Sequence, residues 1–177
     1  NSDPLHIFVT GGAGTGKSVV LKTLKQAMIR YYNFELDAEP AAESVMTVAY
    51  TGKAAFLVGG RTAHSALHIA RSDFYQSYEG ISHSHINTMK HEFRKLKVLL
   101  IDEISLIGKD FFQVMDSRLQ DVFGNNIPFG GVHVICFGDM FQLPPVTEKW
   151  IFEKKKGDTS LNALSQNIWI RYFPVHE

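Results

Sequence analysis

The stretch Leu5-His6-Ile7-Phe8-Val9-Thr10-Gly11-Gly12-Ala13-Gly14-Thr15-Gly16-Lys17-Ser18 decides the fold. A mostly apolar run leads into eight residues that fit G-x-x-x-x-G-K-[ST], and a helix-like stretch follows, the context that this pattern requires. Glycines let backbone N–H groups close around phosphate oxygens, and the next helix adds the positive end of its dipole. Gly12, Ala13, Gly14, Thr15, Gly16, Lys17 and Ser18 are therefore assigned to phosphate binding. Lys17 is expected to reach the β- and γ-phosphates and the Ser18 hydroxyl to ligate Mg²⁺. A glycine-rich turn with an incidental lysine is the bland alternative, and the flanking strand and helix weigh against it. The expected ligand is a nucleoside triphosphate.

Composition narrows what can surround that loop. The 177 residues are 45% hydrophobic, enough to bury one α/β core, so residues 1–177 read as one domain. Eighteen basic residues balance eighteen acidic ones, so no global field draws the chain to nucleic acid or an anionic membrane. Any nucleic-acid contact must come from a local patch. The single cysteine, Cys136, lies inside the apolar run Val132–Phe137 and reads as a small core residue rather than a nucleophile. One thiol makes no internal disulfide, which fits a reducing compartment. No apolar run has membrane-spanning length and the first residues lack a signal pattern, so the expectation is a soluble intracellular protein with no membrane partner. Phe173–Glu177 resembles the opening of another strand, and the chain is expected to be a fragment of something longer.

Along the chain, buried strands alternate with helices. Apolar residues at Val20, Leu21, Leu24, Ala27, Met28 and Tyr31 predict a helix over Val19–Tyr32. Asn33–Ser44 reads as a surface loop, Val45–Ala49 as a strand, and Gly52–Val58 as a helix closed by Gly59-Gly60. Thr62–Ile69 reads as a short helix, Arg71–His85 as an inserted loop and Ile86–Lys95 as a basic helix. Val98–Ile101 and Val132–Phe137 are continuous apolar runs, the mark of strands covered on both faces. Phe111–Phe123 and Leu161–Trp169 return to helical spacing. This alternation predicts a mostly parallel central sheet between two helical layers. Ligands of such sheets bind beyond the carboxyl ends of the strands, where every motif below lies.

Asp102-Glu103 emerges from the run Val98–Ile101. An Asp there can hold Mg²⁺ opposite Ser18, and an adjacent Glu can deprotonate an attacking water. The same pair could be a helix N-cap with a first-turn acid; behind a strong phosphate loop the metal and catalytic reading prevails. Gly138-Asp139-Met140-Phe141-Gln142-Leu143-Pro144-Pro145 follows another strand, and the Gln142 amide could bridge a γ-phosphate oxygen or the attacking water. Thr51, the Gly52 N–H and Lys53 form an anion-binding corner, which suggests a nucleic-acid backbone, or else a helix cap beside a solvated lysine. Thr62-Ala63-His64-Ser65 could bond phosphate or sugar, although capping and packing are the common uses of such residues. His83-Ser84-His85 lacks partners at zinc-ligand spacing. The stretch from Lys90 to Lys97 and Lys154-Lys155-Lys156 read as solvated charge.

Taken in order, these segments resemble the PIF-type (petite integration frequency) DNA helicases of superfamily one, beside the RecD-like enzymes. GGAGTGKS looks like that family's motif I, AYTGKAA its motif Ia, TAHS its motif Ib, IDEIS its motif II and GDMFQLPPV its motif III. The resemblance spans nearly the whole chain and implies the first of two RecA-like lobes, a three-layer P-loop NTPase domain with ATP held between the lobes. It implies that Lys17 and Ser18 serve phosphate and Mg²⁺, Asp102 the metal, Glu103 the water, and Gln142 the γ-phosphate. Thr51, Gly52, Lys53, His64 and Ser65 would line a single-stranded DNA path.

The family translocates on single-stranded DNA, unwinds duplexes and serves repair, recombination and telomere maintenance, with copies in Helitron-type mobile elements. By the same resemblance the protein is expected to be a nuclear monomer, with the mitochondrion as the other compartment. The family's upstream glutamine motif, its second lobe and its arginine finger have no counterpart here, and Tyr50 stands where Pro is common. A finger arginine supplies about three to five decades of rate in such hydrolases. The expectation is therefore that these residues fold but hydrolyse ATP poorly and unwind nothing alone. A nucleotide kinase or GTPase would need an acceptor pocket or an Asn-Lys-x-Asp element, and neither is found. A non-hydrolysing scaffold module is the remaining alternative, which Glu103 argues against.

Overall fold

The computed structural model describes residues 3–35, 43–70, 82–145, 149–153 and 167–173. Among the described residues, five strands form one sheet: β1 (His6–Thr10), β2 (Val45–Ala49), β3 (Arg61–Thr62), β4 (Val98–Asp102) and β5 (His133–Gly138). Their order is β1-β5-β4-β2-β3 and every pairing is parallel. The α/β fold class read from the sequence is the one observed.

Alternation along each strand sorts side chains to two faces. Val45, Val98, Leu100, Ile135 and Phe137 pack beneath helix α1 (Lys17–Glu35), which meets them with Leu21, Leu24 and Met28. Met46, Val48, Leu99, Ile101, Val134 and Cys136 face the opposite layer. That layer holds α3 (Ala63–Ala66), α4 (His83–Glu92), α5 (Lys109–Phe123) and α6 (Ile168–Tyr172), and its core includes Phe111, Phe112, Met115 and Phe129. Each such fully buried side chain contributes about 1.5–3 kcal/mol of transfer free energy. Burial raises the Cys136 thiol pKa well above its usual value, so Cys136 is an inert core residue, as its apolar setting suggested.

Several boundaries differ from those read in the sequence. Helix α1 begins at Lys17, directly out of the glycine loop, and continues through 33–35, which had read as loop; 36–42 lie outside the described residues. Helix α2 is Gly52–Leu57, capped by Thr51 and followed by Gly59 at φ +61°. Only Ala63–Ala66 of the expected Thr62–Ile69 helix is helical. Arg61-Thr62 pairs instead with Val48-Ala49 as a two-residue edge strand, too short to leave a periodic signal. Helix α4 starts at His83 rather than Ile86, so His83-Ser84-His85 forms its first turn. Residues 71–81 of the expected inserted loop lie outside the described residues, as do 154–156, 161–166 and 174–177. The last helix is Ile168–Tyr172, entered through Asn167, whose side chain accepts from the N–H groups of Trp169 and Ile170.

Candidate functional site

Because all five strands run the same way, all five carboxyl ends open on one edge. The glycine loop leaves β1, Thr51-Gly52-Lys53 leaves β2, and His64-Ser65 follows β3. Asp102-Glu103 leaves β4, and the segment to Gln142 leaves β5. Register aligns these exits: Thr10 pairs with Gly138, and Ala49 pairs with Asp102. The expected site residues are thus gathered by topology from positions up to about 130 residues apart in the sequence.

The glycine loop has the backbone that its sequence demands. Gly14 and Gly16 take φ of +74° and +89°, which L side chains rarely adopt. A Cβ on Gly11 would meet Thr15 Oγ1 at 2.8 Å, and Thr15 Oγ1 itself donates to the Gly12 carbonyl at 2.9 Å. Lys17 is half-buried, and its Nζ donates to the carbonyls of Gly11 and Gly12, the latter at 2.8 Å. The ammonium therefore sits over the loop. Ser18 is exposed on the first turn of α1.

Asp102 is buried at the end of β4, and loss of water raises its carboxyl pKa. A hydrogen bond from the Glu103 backbone and the charge of Lys17 oppose that rise. Glu103 is exposed, at φ +51° and ψ +47°. A non-glycine residue in this left-handed region costs roughly 1–2 kcal/mol, strain of the kind that clusters at functional sites. Partial loss of water around its carboxylate and the neighbouring Asp102 charge raise the Glu103 pKa; the Thr51 hydroxyl and the Lys53 charge lower it. Although Glu103 occupies the N-cap position of the short turn Ile104–Leu106, its side chain makes no capping bond. The capping alternative for this carboxylate is not what the structure holds.

The donor set suits a magnesium ion. A desolvated Asp102 carboxylate and the Ser18 hydroxyl offer hard oxygens, with Lys17 close enough to act on Asp102. Thr51 lies half-buried between β2 and α2, accepting from Ala54 N–H at 3.2 Å and donating to Glu103 Oε2 at 3.5 Å. Gly52 and Lys53 are exposed beside it.

The remaining expected residues are spread further along the edge. His64 stacks on Phe111 at 4.5 Å between ring centroids and tilts against Tyr50 at 5.4 Å, which makes it a partly packed ring. Ser65 is exposed, and its N–H is held by the Thr62 hydroxyl that caps α3. Gln142 is exposed in a turn closed by its own N–H to the Asp139 carbonyl at 3.1 Å. Asp139, given no role from the sequence, is buried and accepts from the Phe141 N–H at 3.0 Å, which fixes that turn. Its position directly after a buried strand was the available signal. Among the described residues, no helix is long and apolar enough to cross a membrane.

Comparison with known proteins shows the family and the fold. Residues 1–170 match the family model described as PIF1-like helicase. The chain is 35% identical over 146 residues to the ATP-dependent DNA helicase RRM3 of Saccharomyces cerevisiae, covering 81% of this chain and 19% of the relative. It is 37% identical over 144 residues to the ATP-dependent DNA helicase Pif1 of Bdellovibrio bacteriovorus, covering 80% and 30% respectively. Among solved structures, the Bacteroides Pif1 helicase in complex with ADP-AlF3 and single-stranded DNA superposes with a TM-score of 0.62 at 36% identity. That match covers 84% of this chain and 32% of the other. Unliganded Bacteroides Pif1 gives a TM-score of 0.64 at 35% identity, covering 84% and 31%. The chain thus spans less than a third of the length of these relatives.

Proposed function

Because the chain belongs to the PIF1-like helicase family, we propose that it is the first RecA-like motor lobe of an ATP-dependent DNA helicase. In this reading it binds ATP at the glycine loop and couples hydrolysis to movement on single-stranded DNA and to unwinding. The supporting observation is the contact between Thr51 and Glu103, which joins the candidate nucleic-acid loop to the candidate hydrolytic carboxylate.

The chemistry follows from the residues. Backbone N–H groups of Gly12–Gly16 and the Lys17 ammonium, which lies over the loop at the Gly12 carbonyl, bind the β- and γ-phosphates. Ser18 and Asp102 would hold Mg²⁺, which when bound neutralises charge on the phosphates. A water oxygen bonds to the γ-phosphorus as the bond from that phosphorus to the β–γ bridging oxygen breaks. The water's proton passes to the Glu103 carboxylate, leaving ADP and inorganic phosphate. Gln142 contacts the γ-phosphate and reports its presence to the segment stiffened by Pro144-Pro145. Thr51, Gly52, Lys53, His64 and Ser65 contact the sugar–phosphate backbone, and a second lobe of the full-length protein completes the ATP site.

The test is strand separation by the full-length protein on a duplex with a single-stranded tail. ATP-dependent unwinding that weakens as salt rises supports the proposal, since backbone contacts release counterions. ATP hydrolysis indifferent to nucleic acid, with no unwinding, would overturn it in favour of another P-loop class.

A further inference from the structure

The Thr51 hydroxyl has a single hydrogen, and the structure commits it to Glu103. Oγ1 accepts from Ala54 N–H at 3.2 Å, and its O–H, the one donor it has, is directed to Glu103 Oε2 at 3.5 Å. Strand order gives that bond a direction. Along the edge the exits run β1, β5, β4, β2, so the glycine loop lies on one side of Glu103 and Thr51 on the other. A Glu103 carboxylate bonded to Thr51 is therefore drawn toward β2, away from the strand whose loop holds the phosphates. Lys53, exposed one residue past Gly52, pulls the carboxylate the same way.

We infer that Thr51 is a positioning residue that parks Glu103 while the nucleic-acid path is empty and releases it when a sugar–phosphate backbone takes the Thr51 hydroxyl. The inference rests on the functional reading above and adds the regulation of that site. A phosphate oxygen arriving at Thr51 and Lys53 competes for the same O–H and the same ammonium that hold Glu103. One hydrogen cannot serve both acceptors, so binding at the β2 exit and release of Glu103 are one event. Stimulation of hydrolysis by single-stranded DNA then needs no long relay: the path and the carboxylate share a hydroxyl.

The experiment measures steady-state ATP turnover of the full-length protein, with and without a poly-thymidine oligonucleotide. In wild type, turnover without DNA is low and rises with the oligonucleotide. Thr51→Val removes the hydroxyl and raises kcat without DNA by about tenfold or more, a fraction of the 10²–10⁴ that a positioned base supplies. Its KM for ATP stays near that of wild type. Thr51→Asp caps α2 but has no hydrogen to donate and repels Glu103, so it gives the same rise if loss of the cap compromises the valine variant. Thr51→Ser restores the hydroxyl and brings the stimulation ratio back toward wild type.

Folded variants that keep the low turnover of wild type without DNA would overturn the inference. A wild-type structure with bound oligonucleotide and a triphosphate mimic supplies a second measurement. Thr51 and Glu103 should separate beyond hydrogen-bond reach, and a retained bond would overturn the inference. The two proposals fail differently. If wild-type turnover ignores the oligonucleotide, the nucleic-acid function itself is lost. If stimulation persists but the variants leave its ratio unchanged, only the Thr51 switch is lost.

Discussion

Asp116 Oδ1 accepts the backbone N–H of Phe129 at 2.6 Å, tying the middle of α5 to the tight turn that leads into β5. The other carboxylate oxygen takes the Gln120 amide at 2.9 Å, so both acceptors of a buried anion are engaged. Asp116→Ala leaves the buried Phe129 N–H without its partner and is expected to cost about 2–3 kcal/mol, read as a shift in the urea midpoint.

Burial raises the Asp116 pKa above its ordinary 3.8, against the lowering effect of its two hydrogen bonds. A carboxyl whose folded pKa exceeds its unfolded pKa adds stability at acid pH, and that contribution is lost as pH rises from 3.8 through the folded value. Asp116→Asn keeps the acceptor for Phe129 and cannot titrate. Relative to wild type it should therefore gain stability as pH rises through that window, measured by denaturation between about pH 3 and 7. A flat difference would contradict the burial argument.

Gly59 and Gly60 have different tasks. A Cβ on Gly60 would stand 2.3 Å from the Thr47 carbonyl oxygen, so the close approach that lets β3 reach β2 depends on the missing side chain. Gly59 has open space and only a positive φ. Gly60→Ala should cost about 3 kcal/mol and Gly59→Ala about 1 kcal/mol, compared by thermal midpoint. Equal costs would show that the strand contact is not tight.

His6 is held among Phe129, Tyr172 and Phe173, with ring centroids 5.4–5.6 Å away. Among the described residues its buried Nε2 has no hydrogen-bond partner. Burial, and then His133, lower its pKa below 6.5. A histidine depressed in the folded state contributes stability above its unfolded pKa and loses it as pH falls from 6.5 toward the folded value. His6→Phe should flatten this acid loss, measured as thermal midpoint between about pH 7.5 and 5. An unchanged slope would place the acid sensitivity elsewhere.

Much of this arrangement was legible in the sequence because it is local. The glycine loop, the runs Val45–Ala49 and Val98–Ile101, and the Asp102-Glu103 exit each carry their signal within a few residues. What escaped is non-local or too short. Arg61-Thr62 becomes a strand only through its register with Val48-Ala49. Asp116 and Arg118 sit inside an amphipathic helix whose apolar spacing hides them. Arg118 is nonetheless fully buried and donates to the carbonyls of Leu67 and His68, about fifty residues away. Thr51 and Glu103 were each singled out, yet their contact spans 52 positions and follows only from β2 lying beside β4.

The most direct measurement compares ATP binding with ATP turnover in the full-length protein carrying Glu103→Gln, with single-stranded DNA present. Glutamine keeps the shape of the side chain but cannot take the proton from water. The account predicts nucleotide affinity within a few-fold of wild type and turnover reduced by about 10²–10⁴. Turnover close to wild type, with the variant folded and nucleotide bound, would contradict it.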